Sequence, residues 1–227
     1  PVHERVAAGV SYREMLGEAG ALGILIASYM VIMELNRVFD MGTLWQGAFL
    51  ALPSLPMTIL LAVIVLGYLA YTRPLGRPMY VFLLLLMIIL AITELGTDAW
   101  IKELMKPSMQ KVGIDAGWVL VYTATIMTIL RFCIAPIVKV LKPLGVLLAS
   151  SLFAAVGIYF LSRVEGVLIL LMATIYGTGQ CFFWPVTLGL VAERFPKGGA
   201  LTLNAIAGVG MLGVGIFHLF EPLAISA

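Results

Sequence analysis

Long apolar runs, divided by short polar corners, set the pattern of this chain. Many of the runs exceed the ~18 residues that mark a membrane-crossing helix, and the corners between them predict about seven spans. These cover roughly residues 19–36, 44–71, 79–100, 118–138, 144–162, 167–191 and 200–220. Residues 1–18 are polar and amphipathic. Ser11 and Glu14 fit a capping box, which predicts a short interfacial helix from about Tyr12 into the first span. A solvated cytoplasmic linker is the other reading of 1–18.

Several interruptions carry more information than the runs. Pro53 and Pro56 fall inside the second span and are expected to bend it. Residues 72–78, TRPLGRP, read as a tight basic loop. The third span ends in TELGTDAW, which places Glu94 and Asp98 four apart on one helix face with Thr97 beside them. Residues 101–117 read as a polar loop, and the fifth span is rich in small residues that let helices approach closely. The densest departure is Tyr176 to Gly215, where Gln180, Trp184, Pro185, Asn204 and a series of glycines surround the charged corner 193–199. A span that only had to dissolve in lipid would need none of these, because polar groups at membrane depth cost free energy unless they face protein, water or a ligand.

Composition narrows the class. Of 227 residues, 62% are hydrophobic and 11% charged, with a mean hydropathy of +1.07, against about 25% charged in soluble domains. The chain reads as an all-α polytopic membrane protein. A net charge of +2 with basic residues at span ends argues against nucleic acid as a partner. Cys133 and Cys181 both lie within spans and imply neither a disulfide nor a metal framework. His3 and His218 are isolated and have no metal-ligand spacing. There is no signal peptide, and the opening PVHER and closing EPLAISA read as cuts through a longer protein.

Lysine and arginine placement predicts orientation. The corners with Arg73 and Arg77, with Lys139 and Lys142, and with Arg194 and Lys197 fall on one side and are assigned to the cytoplasm, together with residues 1–18. The lysines of 101–117 argue the other way. The location that follows is a multi-pass protein of the cytoplasmic (inner) membrane.

Three segments resemble the major facilitator superfamily of transporters. The stretch from Arg131 through Pro136 to the basic turn and Pro143-Leu144-Gly145 is similar to the signature between that superfamily's eighth and ninth helices. ERFPKGG at 193–199, leading into a glycine-rich helix, resembles its corner between the tenth and eleventh. TELGTDAW resembles its seventh helix, which enters the central cavity. Together these cover roughly residues 79–220. The resemblance implies that 79–227 supplies five helices of a C-terminal bundle and that 19–78 is a pair of extra helices inserted before it. Alternatively, one of that pair ends the N-terminal half. The last helix of the C-terminal half and the whole N-terminal half are missing, so this half is the expected partner for an alternating-access pathway. The resemblance also implies a gating role near the cytoplasmic face for Arg131, Glu193, Arg194 and Lys197; solvated loop charges are the alternative.

Candidate chemistry lies in the third and sixth spans. Glu94 and Asp98 would repel each other if both were ionised, which suits proton coupling or the binding of substrate hydroxyls; Asp98 pairing with Lys102 at the interface is the structural alternative. Gln180 and Trp184 share a face of the sixth span, and an amide beside an indole suits a sugar or nucleoside. Pro185 is expected to kink that span and free backbone carbonyls. Asn204 with Gly208 and Gly215 forms a stripe that reads as a packing seam or a ligand contact, and Tyr122, Thr123 and Thr125 are weaker candidates.

These residues favour a secondary transporter of a small polar solute, driven by a proton or other ion. No cofactor is implied. A retinal protein needs a lysine within a span, and each lysine here is at a span end or in a loop. No HExxH, nucleophile elbow or Asp-rich cluster suggests an enzyme. A structural membrane subunit and an efflux carrier remain as alternatives.

Overall fold

The computed structural model describes residues 8–46, 51–111, 113, 115–164, 166 and 168–219. His3 lies outside the described residues, as does the side chain of His218. In chain order the elements are α1 (Tyr12–Val38), β1 (Thr43–Gln46), β2 (Ala51–Pro53), α2 (Leu55–Thr72), α3 (Pro78–Ala91), a π-helical turn (Ile92–Gly96), α4 (Thr97–Gln110), α5 (Gly117–Phe132), α6 (Ile134–Leu161), α7 (Leu168–Gln180), α8 (Phe183–Arg194) and α9 (Gly199–Leu219).

Among the described residues, six helical stretches are long and apolar enough to cross a membrane. They are Tyr12–Val38, Leu55–Thr72, Pro78–Ala99, Ile134–Leu161, Leu168–Arg194 and Gly199–Phe217. The chain is thus an all-α polytopic membrane protein. The remaining expected span, the fourth, is α5, whose 16 residues at 1.5 Å each reach about 24 Å of a hydrocarbon core of about 30 Å.

Proline explains where the helices differ from the expected spans. The expected second span starts only at Leu55, because Pro53 closes a short antiparallel hairpin with β1 and Pro56 sits in the first turn of α2. There its missing amide costs nothing, so neither proline bends the helix. Asn36 holds the hairpin: its Nδ2 donates to the Gly42 carbonyl (2.6 Å), and its Oδ1 accepts from the Ser54 amide (2.9 Å). The expected fourth span ends at Phe132, since Pro136 cannot donate to the Phe132 carbonyl and α6 begins directly after Cys133. Pro143 likewise drives Lys142 out of the helical region, to φ 58° and ψ 158°, and breaks the start of α6. Residues 101–110 are not a loop. They continue α4, whose Ile101, Met105 and Met109 bury one face against Val119, Leu161, Ile169 and Ala173.

The chain forms two compact units, residues 1–89 with 191–227, and 90–190. Their boundary falls inside α3 and α8.

In the first unit the capping box at Ser11 and Glu14 is formed. Helix α1 then breaks at Gly20, where φ is +66°. An added Cβ there would stand 2.0 Å from the Gly76 Cα. The 73–77 loop enters this break, and the Ala21 and Leu22 amides donate to the Pro74 and Leu75 carbonyls at 3.2 and 3.0 Å. Loop carbonyls thus satisfy amides that the break frees. Tyr68 Oη donates to the Leu16 carbonyl (2.6 Å) and Tyr80 Oη to the Thr202 carbonyl (2.8 Å), tying α2 to α1 and α3 to α9.

In the second unit the small residues of the fifth span act as expected. A Cβ at Gly157 would lie 2.5 Å from the Tyr176 backbone, and one at Gly179 would lie 2.3 Å from the Ala154 amide nitrogen. Helices α6 and α7 therefore touch backbone to backbone along this seam.

Candidate functional site

The polar cluster of the second unit is built on two interruptions of regular helix. The first is the π turn. It widens the helix around Glu94, which is 4% exposed, and such turns recur at functional sites. The Thr93 carbonyl within it accepts from Tyr176 Oη at 2.7 Å, and Thr97 lies beside the same hydroxyl. The second interruption separates α7 from α8 at Cys181 and Phe182. Pro185 has no N–H to give to the Cys181 carbonyl four residues earlier, so that acceptor is free for another donor.

Arg131 supplies the donor. Its Nε donates to the Cys181 carbonyl at 3.0 Å, and its Nη2 to Glu94 Oε1 at 2.6 Å. One guanidinium thereby joins α5, the α7–α8 break and the π turn, using the planar fork that lysine lacks. Beside it, Gln180 Nε2 donates to Asp98 Oδ1 at 2.9 Å and lies 3.3 Å from Met127 Sδ. Asp98 is thus engaged by Gln180, the partner that the Lys102 alternative had not foreseen.

Two acceptors in this cluster have no donor: Glu94 Oε2 and Gln180 Oε1, both buried. The Trp184 amide, in the first turn of α8, is close enough to act on the Glu94 carboxyl but makes no hydrogen bond of ordinary geometry to Oε2. Two carboxyls face one guanidinium, so one negative charge would be left uncompensated if both ionised. Such a buried, uncompensated charge is costly.

The structure brings Glu94, Asp98, Thr97 and Gln180 together, as the sequence suggested. It also brings in Arg131, which the sequence had placed at a cytoplasmic exit far from Glu94. Gln180 and Trp184 do not share a continuous helix face, because the break caused by Pro185 puts one at the end of α7 and the other at the start of α8. Asn204 is exposed on α9, and Glu193 and Arg194 are exposed at the end of α8. Lys197 Nζ pairs with Glu14 Oε1 at 3.3 Å within the first unit. The hydroxyls of Thr123 and Thr125 bond back to carbonyls of their own helix, and that of Tyr122 pairs with Thr174 at 2.8 Å. Among the described residues, no group of three or more His, Cys, Asp or Glu could hold a metal ion.

Sequence reasoning missed Tyr176, the Cys181 carbonyl and the reach of Arg131. The signal for the last two was present in Pro185, since a proline in a span names the carbonyl four residues before it as an open acceptor.

The fold and this cluster define a multi-pass helical membrane protein with a buried charge network. No protein-family model, curated protein or solved structure matches the chain.

Proposed function

We propose that this chain is part of a secondary transporter that moves a small polar solute across the cytoplasmic membrane by alternating access, with proton coupling at the Glu94–Arg131–Asp98 cluster. One observation supports it above all. Two carboxyls lie near a single guanidinium, which bonds to Glu94 while Asp98 is held by Gln180, and two buried acceptor oxygens beside it lack donors. A proton neutralises the surplus charge, and a solute rich in hydroxyls supplies the missing donors. Sugars and nucleosides fit that chemistry better than organic acids, which would add acceptors to a site already in excess of them. The resemblance to the major facilitator superfamily supports the same reading and assigns the missing N-terminal half as the partner. Nothing in the proposal calls for enzymatic chemistry or a cofactor.

A structural role for the cluster is the second reading. Arg131 joins three segments, as an interhelical tie would. The test is a thermal-shift screen of the full-length protein against sugars, nucleosides, organic acids and drugs. Ligand at about 100 times its dissociation constant stabilises the fold by about 2.7 kcal/mol. A shift from hydroxyl-rich solutes that is lost in Gln180→Ala supports transport. A shift confined to organic acids or apolar drugs contradicts the solute class proposed.

A further inference from the structure

The first unit holds a second polar site, built from helix ends and independent of the cluster above. A cavity of about 490 Å³ opens among the first turns of α1, the end of α2, the 73–77 loop and the corner before α9. Its polar lining is Ser11, Arg13, Glu14, Glu18, Thr72 and Lys197. Its volume suits a small ligand.

Glu18 sets the chemistry of this cavity. It is 5% exposed although it lines the space. Its Oε1 meets Arg77 Nη2 at 3.1 Å, while its Oε2 is buried with no donor. A buried carboxylate oxygen without a donor is destabilising, so the site calls for a hydrogen-bond donor there. Arg77 already balances the charge of Glu18, so a neutral hydroxyl suffices.

The remaining charges ask for an anion. Glu14 pairs with Lys197 at 3.3 Å. Arg13 has no carboxylate partner among the described residues; with Glu14 paired to Lys197 and Glu18 paired to Arg77 of the adjoining loop, it is the cation left unbalanced. Arg73 in the adjoining loop adds to the positive field. A guanidinium beside an ammonium is a common setting for phosphate, which takes charge-assisted hydrogen bonds from both.

We infer that this cavity is a binding site for a phosphate ester bearing a hydroxyl group, with the phosphate on Arg13 and Lys197 and the hydroxyl donating to Glu18 Oε2. A phosphoglycerol unit has both parts. It reaches the site either as the headgroup of an anionic lipid at the membrane surface or as free glycerol phosphate from the aqueous phase.

The test uses the full chain in detergent, with native mass spectrometry and thermal unfolding as readouts. The probes are phosphatidylglycerol, phosphatidic acid (which lacks the hydroxyls), phosphatidylcholine and glycerol 3-phosphate. Phosphatidylglycerol is expected to be retained at one per chain in preference to phosphatidylcholine and phosphatidic acid. Arg13→Gln, on an exposed side chain that the fold does not need, is expected to weaken retention about tenfold. Glu18→Gln is expected to abolish the preference over phosphatidic acid. Stabilisation by glycerol 3-phosphate as well identifies a site for the free ester; retention of the lipid alone identifies a headgroup site. Retention of phosphatidylcholine equal to that of phosphatidylglycerol overturns the assignment. So does binding unchanged by Arg13→Gln, or a hydroxyl preference that survives Glu18→Gln.

Discussion

Pro185 and Arg131 act on the same carbonyl. Pro185 withholds from Cys181 the amide hydrogen that a helix would supply, and Arg131 donates to that oxygen from 3.0 Å. The break between α7 and α8 is therefore what allows Arg131 to be held at two points, with Glu94 as the second. Restoring an amide at 185 should undo this. Pro185→Ala is expected to leave the folded state as stable as the wild type or up to about 1 kcal/mol more so, because alanine suits a helix interior. Transport should fall several-fold as the new amide competes with Arg131. Thermal unfolding and uptake, measured on the same preparation, check both parts. A variant with unchanged uptake would separate the break from function.

Arg131→Lys keeps the charge but not the fork. A lysine ammonium cannot match the fixed two-point geometry at Glu94 Oε1 and the Cys181 carbonyl. Loss of one partner from a buried ion pair costs about 3–5 kcal/mol, and the half-exposed Arg131 side chain reduces that to about 1–2 kcal/mol for Arg131→Gln. The double variant Glu94→Gln/Arg131→Gln is expected to recover part of the loss, giving a coupling energy of about 0.5–3 kcal/mol in a double-mutant cycle. Strict additivity of the two single losses would show that the pair does not interact.

Much of the layout was legible in the sequence, for identifiable reasons. Apolar runs located the spans because the length of a membrane helix is fixed by bilayer thickness. Ser11 and Glu14 announced the start of α1 through local chemistry that needs no tertiary context. Small residues announced the α6–α7 seam. Hydropathy failed where one residue decides the geometry. It could not tell a proline that bends a helix from one that starts it, as Pro56 does, and it carried the second span through the hairpin. It also ran 101–110 into a loop, because polar residues there hide the spacing of Ile101, Met105 and Met109. The site was half legible. Glu94, Asp98 and Gln180 stood out as polar residues at depth. Arg131 meets Glu94 at the π turn and the Cys181 carbonyl at the α7–α8 break, two interruptions that no periodicity displays.

The Gly20–Gly76 contact makes a sharp prediction for the first unit. Gly20→Ala places a Cβ 2.0 Å from the Gly76 Cα at a backbone of φ +66°, so both space and conformation oppose it. The 73–77 loop should leave the break in α1, and the unfolding midpoint should fall clearly. Gly67→Ala is the control. It lies in α2 with nothing within 4 Å of an added Cβ, and the gain in helix propensity should stabilise by about 0.5–1 kcal/mol. Equal effects of the two substitutions would contradict the close approach.

The α6–α7 seam is equally specific. Gly179→Val puts branched bulk where the Ala154 amide nitrogen is already 2.3 Å from a bare Cβ position. Overpacking of this kind costs about 1–3 kcal/mol, and Gln180 next to it would be displaced from Asp98. Gly189→Val, with open space around it, should lack this effect. Loss of the Gln180 bond frees the Asp98 carboxyl, and labelling of that carboxyl by a carbodiimide reports it.

The most direct measurement is proton movement driven by solute in proteoliposomes containing the complete transporter, compared between wild type and Glu94→Gln. The account predicts that wild type carries protons together with the solute. It predicts that Glu94→Gln still exchanges solute across the membrane, yet moves no protons and accumulates nothing against a gradient. Proton-coupled accumulation by Glu94→Gln at every pH would contradict the assignment of coupling to this cluster.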